Sequence, residues 1–313
     1  MHLSDTVVEK IILAEPRGFC AGVDRAVEAV RSALRAYGRP LYVRHQIVHN
    51  RFVLEGLEKE GAIFVDTLDQ VPEGQRVIFS AHGVAPSEWE HAKDRGLRVI
   101  DATCPLVTKV HLEVERYASE DRTVVLVGHA GHEEVKGTLG VAPGKVVLVG
   151  SVEEAEKIEL PDPERVAAVT QTTLSIDDTR EILEILKRRF PKMATPKTDD
   201  ICYATQNRQN AVKELVQISD AILVVGSKQS SNANRLVEVA RTRGARAFLV
   251  DSFADVEPEM LAGVRSLGLT ASASSPEWLV EEIIGAFKNR GAEVELLSVA
   301  KERVHFPLPM TAD

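Results

Sequence analysis

Three cysteines, Cys20, Cys104 and Cys202, lie 84 and 98 residues apart, and each opens the same succession of patterns. A repeat of about 90 residues constrains the fold more strongly than local propensity does, because every copy must bury its apolar surface in the same way. After Cys20, Val27, Val30 and Leu34 recur at helical spacing until Gly38 stops the run. Pro105 stands directly after Cys104, in the place of a first helical residue. Cys202 leads into Ala211, Leu215 and Ile218. The pattern predicts a helix beginning at each cysteine.

The stretches beyond these helices repeat as well. β-rich segments at 41–43, 124–127 and 221–225 each run into a polar cluster, His45 to Asn50, His129 to Glu134 and Ser227 to Asn232. Second strands are expected at 62–65, 146–149 and 247–250. Third strands end in the turns Ser80-Ala81-His82-Gly83, Thr170-Gln171-Thr172-Thr173 and Thr270-Ala271-Ser272-Ala273-Ser274, and helix-like segments containing Trp89, Ile182 and Trp278 complete the copies. Strands alternating with helices imply parallel sheets, and polar residues after strand ends are where such folds place ligands. One such residue alone reads as a helix cap or turn former; six clusters in register call for more.

The expectation is an α/β fold of three units related by a pseudo-threefold axis, with small parallel-type sheets around a central cavity. Residues 21–104 form the first unit, 105–201 the second, and 10–20 plus 202–300 the third, with a C-terminal tail, 301–313, that has no assigned role. The third unit needs a partner for its edge, which the apolar stretch 11–14 is expected to supply; 161–165 reads as a surface connection, and 190–197, with Pro191 and Pro196, as a linker between units.

Composition limits the function. With 44% hydrophobic and 27% charged residues in 313, the chain has the profile of an ordinary globular protein. Its net charge of −9 argues against nucleic acid as a partner. No apolar run reaches the roughly 18 residues of a membrane span, and Met1-His2-Leu3-Ser4-Asp5 lacks the pattern of a secretory signal, so a cytoplasmic protein is expected. An odd number of cysteines in that compartment argues against a disulfide framework.

Three convergent thiols could hold zinc or an iron–sulfur cluster. Structural zinc normally takes four ligands, often from a close Cys-x-x-Cys pair, which is missing here; a three-ligand catalytic zinc, with His49 or His132 substituting, stays open. A 4Fe–4S cluster usually has four cysteine ligands; three would leave one iron open to substrate. Helix N-termini favour the thiolates. His49, His82, Ser230, Ser231, Asn232 and Ser274 offer donors suited to a phosphate or diphosphate at helix starts. Glu134 adds a carboxylic acid for general acid work, whereas Glu133 beside it reads as a solvated carboxylate.

The segments Pro16-Arg17-Gly18-Phe19-Cys20-Ala21-Gly22-Val23, Asp101-Ala102-Thr103-Cys104-Pro105, Gln171-Thr172-Thr173-Leu174-Ser175, Asp200-Ile201-Cys202-Tyr203-Ala204-Thr205 and Val225-Gly226-Ser227-Lys228-Gln229-Ser230-Ser231-Asn232, with Asn234-Arg235-Leu236 after it, resemble the 4-hydroxy-3-methylbut-2-enyl diphosphate reductase family. The resemblance runs from about Ile11 to Phe306. It implies the last step of the non-mevalonate isoprenoid pathway, a two-electron reductive loss of hydroxyl from an allylic diphosphate that gives isopentenyl and dimethylallyl diphosphate. It further implies one 4Fe–4S cluster per chain at the centre of the three units, ligated by Cys20, Cys104 and Cys202. His49, His82, Ser230, Ser231, Asn232 and Ser274 would bind the diphosphate with His132 close by. Glu134 would donate the proton, and Thr172 would position Glu134 and the substrate hydroxyl. Reduced ferredoxin or flavodoxin is the implied electron donor.

Departures from the family pattern are few. Proline is frequent where this chain has Glu133, another polar residue where it has Gln229, and glycine where it has Ser272. The extra carboxylate at Glu133 is expected to influence Glu134. The rival readings are an aconitase-like hydro-lyase, which needs the open iron but no electrons, an iron- or redox-sensing regulator, and the catalytic zinc enzyme.

Overall fold

The structure is a computed structural model that describes residues 8–309. The first five residues, on which the reading of no secretory signal rests, and residues 310–313 of the tail lie outside the described residues. The chain opens with β1 (Lys10–Glu15) and passes through Cys20 into α1 (Ala21–Tyr37), β2 (Leu41–Arg44), α2 (Arg51–Glu60), β3 (Ala62–Val65), β4 (Arg76–Phe79), α3 (Pro86–Asp94) and β5 (Arg98–Asp101). Cys104 then leads into α4 (Pro105–Ser119), β6 (Thr123–Val127), α5 (Glu133–Leu139), β7 (Val146–Val149), α6 (Val152–Lys157), β8 (Val166–Thr170) and α7 (Ile176–Arg189). Cys202 leads into α8 (Tyr203–Ile218), β9 (Ala221–Val225), α9 (Ser231–Thr242), β10 (Ala247–Val250), β11 (Ser266–Ala271), α10 (Glu277–Lys288) and β12 (Glu293–Ser298). Among the described residues no helix is long and apolar enough to cross a membrane.

The described residues form three separate sheets, and every pairing within them is parallel. Their orders are β3-β2-β4-β5, β7-β6-β8 and β10-β9-β11-β1-β12. The three share a rule: the first strand after a cysteine's helix lies between the second and the third. The strand that approaches the next cysteine then pairs with the third, as β5 pairs with β4 before Cys104 and β1 with β11 before Cys20. Before Cys202 that place is taken by one isolated parallel bridge, Ala167 to Ala194. The stretch expected to be a linker therefore belongs partly to a sheet, and Pro191 and Pro196 hold it to a single bridge because proline cannot donate to a ladder.

β1 pairs with β11, the partner expected of 11–14 for the edge of the third unit. β12, which the sequence did not reveal, then pairs with the far side of β1 and becomes the edge. β12 escaped sequence reading because its residues alternate poorly and face solvent, with Leu296 56% exposed. β5 escaped because four residues, Arg-Val-Ile-Asp, carry too little pattern.

β8 and β9 are buried along their whole length, as expected for parallel strands covered on both faces. In the three-stranded sheet the period of two sorts the core cleanly. Val125 and Val127 face Ile182, Ile185 and Leu186 of α7, while Val124 and Leu126 face Val110, Val114 and Tyr117 of α4. In the five-stranded sheet, Ile222 and Val224 pack with Ala211, Val212 and Leu215 of α8 and with Leu236, Val237 and Ala240 of α9. α1 ends at Gly38, whose φ of +79° suits the left-handed turn that carries its N–H back to the Leu34 carbonyl at 3.0 Å.

The chain divides into two compact bodies. Of the described residues, one takes in 8–20, His49–Arg51 and Tyr203–His305, with the five-stranded sheet; the other takes in Ala21–Val48, Phe52–Cys202 and 306–309, with the other two sheets.

Candidate active site

All three cysteines are half-buried and stand at the start of a long helix: Cys20 directly before α1, Cys104 as the N-cap of α4, and Cys202 directly before α8. Each is also tied to the turn after a third strand. The Cys20 N–H donates to the Ala273 carbonyl at 3.3 Å, that of Cys104 to Ala81 at 3.0 Å, and that of Cys202 to Thr172 at 3.0 Å. The repeat seen in the sequence thus recurs as one backbone hydrogen bond made three times.

In the second body, α5 brings an acid to one of these turns. His132 caps the helix, its Nδ1 accepting the Glu134 N–H at 3.2 Å. The Glu134 carboxylate is 3% exposed; it accepts the Thr172 N–H at 2.7 Å and the Thr172 hydroxyl at 3.0 Å. Burial pushes its pKa up to about 7, and the Thr172 bonds only partly offset this because both favour the ionised form. Thr172 therefore joins the acid, through its N–H and hydroxyl, to Cys202, through its carbonyl. Glycines let α5 approach the turn that carries His82: a Cβ on Gly137 would stand 3.1 Å from the Gly83 carbonyl oxygen, and one on Gly140 would stand 2.2 Å from the Ala85 Cβ. The His82 and His132 rings meet edge to face at 5.7 Å between centroids, and the Ser80 hydroxyl is 3.2 Å from His82 Nδ1.

Glu133 does not behave as a solvated carboxylate. It is held by His45 Nε2 at 3.0 Å and Lys136 Nζ at 2.7 Å, and its pKa is lowered, these partners outweighing its burial. His45 reaches it from a left-handed backbone, φ +56°, which is uncommon for a residue other than glycine. Because its charge is matched by His45 and Lys136, while the state of Glu134 is set by burial, Thr172 and Asp200, Glu133→Pro is expected to leave the pH dependence set by Glu134 in place. Proline is well suited to a first helical position. A pH–rate profile whose limb moves in this variant would mean that the Glu133 charge acts on Glu134.

The first body gathers the other donors. Ser230 caps the twelve-residue α9, its hydroxyl accepting the Ala233 N–H at 3.2 Å. The Ser231 hydroxyl, at the first helical position, is buried without a hydrogen-bond partner. Asn232 Oδ1 accepts the Ala273 N–H at 3.0 Å, and the Ser274 hydroxyl donates to the His49 carbonyl at 3.2 Å and lies 3.5 Å from that of Ser230. His49, Ser230, Ser231, Asn232 and Ser274 thus cluster around the α9 N-terminus, with Ala273 also holding Cys20. A positive helix end together with an unsatisfied buried hydroxyl suits an anion.

The donor chemistry fits a soft metal assembly: three thiols, each at the positive end of a helix of 15 to 17 residues. Among the described residues no three His, Cys, Asp or Glu side chains gather to hold a single ion. Several bracing residues were not singled out from sequence. Gln171, fully buried, accepts the His129 N–H at 3.0 Å and donates to the Thr173 hydroxyl at 3.0 Å, tying two polar turns together. Asp200, also buried, accepts the Thr170 N–H at 3.0 Å and pairs with Lys109 at 3.1 Å; burial raises its pKa. Arg25, Lys109 and Arg208 belong to the same group, and their signal was their spacing, five or six residues after each cysteine.

Three parallel sheets, a cysteine at the helix start that follows each approach to them, a buried acid and a helix end with an unsatisfied buried hydroxyl define the class, an α/β enzyme. The chain belongs to the LytB protein family, whose model matches residues 11–288. It is 54% identical over 304 residues to 4-hydroxy-3-methylbut-2-enyl diphosphate reductase of Methylococcus capsulatus, covering 96% of this chain and 97% of the relative. It is also 54% identical over 301 residues to 4-hydroxy-3-methylbut-2-enyl diphosphate reductase 1 of Burkholderia pseudomallei, covering 96% and 92%. The solved E-1-hydroxy-2-methyl-but-2-enyl-4-diphosphate reductase of Plasmodium falciparum superposes with a TM-score of 0.94 at 41% identity, covering 96% of each chain. A second solved structure, (E)-4-hydroxy-3-methyl-but-2-enyl diphosphate reductase, described as the terminal enzyme of the non-mevalonate pathway, gives 0.65 at 32% identity over 90% of this chain and all of the other. Membership of this family implies a metal cofactor.

Proposed function

We propose that the chain reduces 4-hydroxy-3-methylbut-2-enyl diphosphate to isopentenyl and dimethylallyl diphosphate, with one 4Fe–4S cluster held by Cys20, Cys104 and Cys202. Two electrons and two protons enter, the carbon–oxygen bond breaks, and water leaves. The observation that carries this reading is the link at Thr172, which bonds the Glu134 carboxyl on one side and the Cys202 backbone on the other.

When bound, the cluster supplies the electrons and a Lewis-acidic iron for the substrate oxygen. The protein does the rest. Glu134, with a pKa of about 7, keeps a protonated fraction at neutral pH and donates to the departing hydroxyl, which leaves more readily as water. Thr172 orients that acid and the hydroxyl. The residues this reading assigns to the diphosphate are His49, His82, His132, Ser230, Ser231, Asn232 and Ser274, mainly neutral donors. This leaves the charge of the diphosphate available to act as a base in the final proton transfer. Electrons would come from reduced ferredoxin or flavodoxin in the cytoplasm, and the unit boundaries at residues 104 and 201 belong to the same proposal.

The test is anaerobic turnover of the allylic diphosphate by cluster-reconstituted protein supplied with a strong chemical reductant. Both C5 diphosphates should form, in proportion to reductant consumed. Water loss without consumption of reductant would favour the hydro-lyase, and no turnover by protein that holds a cluster would point to a sensor. Protein that holds zinc but no iron would remove the cluster reading.

A further inference from the structure

Each loop that leads into a cysteine is held by a cation from the helix that another cysteine begins. Arg25, on the helix after Cys20, donates to the Thr103 carbonyl at 2.9 Å and the Asp101 carbonyl at 3.3 Å, on the approach to Cys104. Lys109, on the helix after Cys104, donates to the Thr198 and Asp199 carbonyls at 2.8 and 2.9 Å and to the Asp200 carboxylate at 3.1 Å, on the approach to Cys202. Arg208, on the helix after Cys202, donates to the Gly18 carbonyl at 2.7 Å and the Phe19 carbonyl at 3.4 Å, on the approach to Cys20. The pattern closes on itself after three steps.

Burial and charge give these contacts weight. Arg208 is fully buried; its Nε also donates to the Gly18 carbonyl, at 3.2 Å, and its Nη1 donates to the Ala204 carbonyl and the Glu302 carboxylate, both at 3.0 Å. Except for Asp101, which ends β5, these carbonyls lie outside strands and helices; those of Gly18 and Thr103 belong to buried residues, where an unpaired carbonyl is costly, whereas those of Thr198 and Asp199 are exposed and are held beside the buried Asp200 carboxylate. A cation that collects two carbonyls at once selects one loop conformation and places positive charge on the loop that leads to a thiol. The tail joins the arrangement, for Arg25 Nε also donates to the Pro307 carbonyl at 2.8 Å and Asn207 donates to Glu302 at 3.0 Å.

We propose that Arg25, Lys109 and Arg208 form a cyclic clamp, in which each cation fixes the loop carrying the next cysteine, so that every thiol is positioned by another thiol's helix as well as its own. They are positioning residues. The consequence for metal retention rests on the cluster reading proposed for the active site, whereas the mutual fixing of the loops does not.

The test is holoprotein challenged anaerobically with an iron chelator and a thiol-alkylating reagent, following cluster absorbance and the labelling of each cysteine by peptide mass. Full-length apoprotein is labelled in parallel. Arg25→Met, Lys109→Met and Arg208→Met should each hasten cluster loss by about tenfold, the worth of one or two charge-assisted bonds. The labelling order carries the discrimination: Cys104 should be labelled fastest in the Arg25 variant, Cys202 in the Lys109 variant and Cys20 in the Arg208 variant. Arg31→Met, which removes only an exposed pair with Glu60, should match the wild type. Acceleration of the cysteine on the variant's own helix, or of all three equally, would overturn the clamp. If Arg208→Met does not fold, Arg208→Lys together with the other two variants decides by the same order. A wild-type protein without a cluster would sink the proposed function instead, and the apoprotein labelling would still judge the clamp.

Discussion

Replacing Glu134 with glutamine is expected to lower turnover at least about a hundredfold, the usual worth of a general acid, while making the folded protein more stable at alkaline pH. The two effects have one cause. Glu134 is fully buried, and its pKa stands at about 7 against an ordinary 4.5. Between those values the folded state binds the proton that the unfolded chain releases, so stability falls as pH rises from 4.5 through 7. Above that range the buried carboxylate costs about 3 kcal/mol, which glutamine does not incur. Thermal melts at pH 8 should therefore favour the glutamine variant by several degrees, and the gap should close towards pH 5. In the wild type, the same titration predicts turnover that declines as pH rises above about 7, because only the protonated acid can donate. A glutamine variant that is less stable than wild type at pH 8 would show that the Thr172 hydrogen bonds to the charged form outweigh desolvation.

Cys202→Ala should abolish turnover and leave a folded protein that does not retain iron after reconstitution. Cys202 precedes α8 and contributes its backbone N–H to the Thr172 carbonyl, a bond that alanine keeps. The side chain is half-buried, so removing its sulfur should cost about 1 kcal/mol or less. Iron analysis and visible absorbance would report the loss of metal, and the melting curve of the metal-free protein would report the fold. Full iron content in this variant would remove Cys202 from the ligand set.

Much of the architecture is legible in the chain. The second strands at 62–65, 146–149 and 247–250 coincide with β3, β7 and β10, and 221–225 with β9, because short apolar runs bounded by turn residues have few other uses. The helices after the cysteines begin where a thiol precedes helix-starting residues. Proline at the first turn of α4 and glycine after α1 mark their ends. β5 and β12 were not legible. A four-residue strand and an exposed edge strand owe their existence to the neighbours they pair with, not to their own pattern.

The candidate site divides along the same line. Residue types and positions single out the cysteines, the polar turns and Glu134, since chemistry needs particular side chains and the repeat puts them in register. Sequence misjudged Glu133, because its partner His45 lies 88 residues away. It also assigned no role to Arg208, whose carbonyl partner Gly18 lies 190 residues away.

By itself, then, the sequence determined which groups are available and which helices and central strands present them, for those depend on contacts between near neighbours in the chain. Only the tertiary structure decided which state those groups adopt. The pKa of Glu134 is a property of the volume that excludes water around it, and the hold on each cysteine comes from a cation on another cysteine's helix. Burial and long-range hydrogen bonds exist only once the chain has closed on itself.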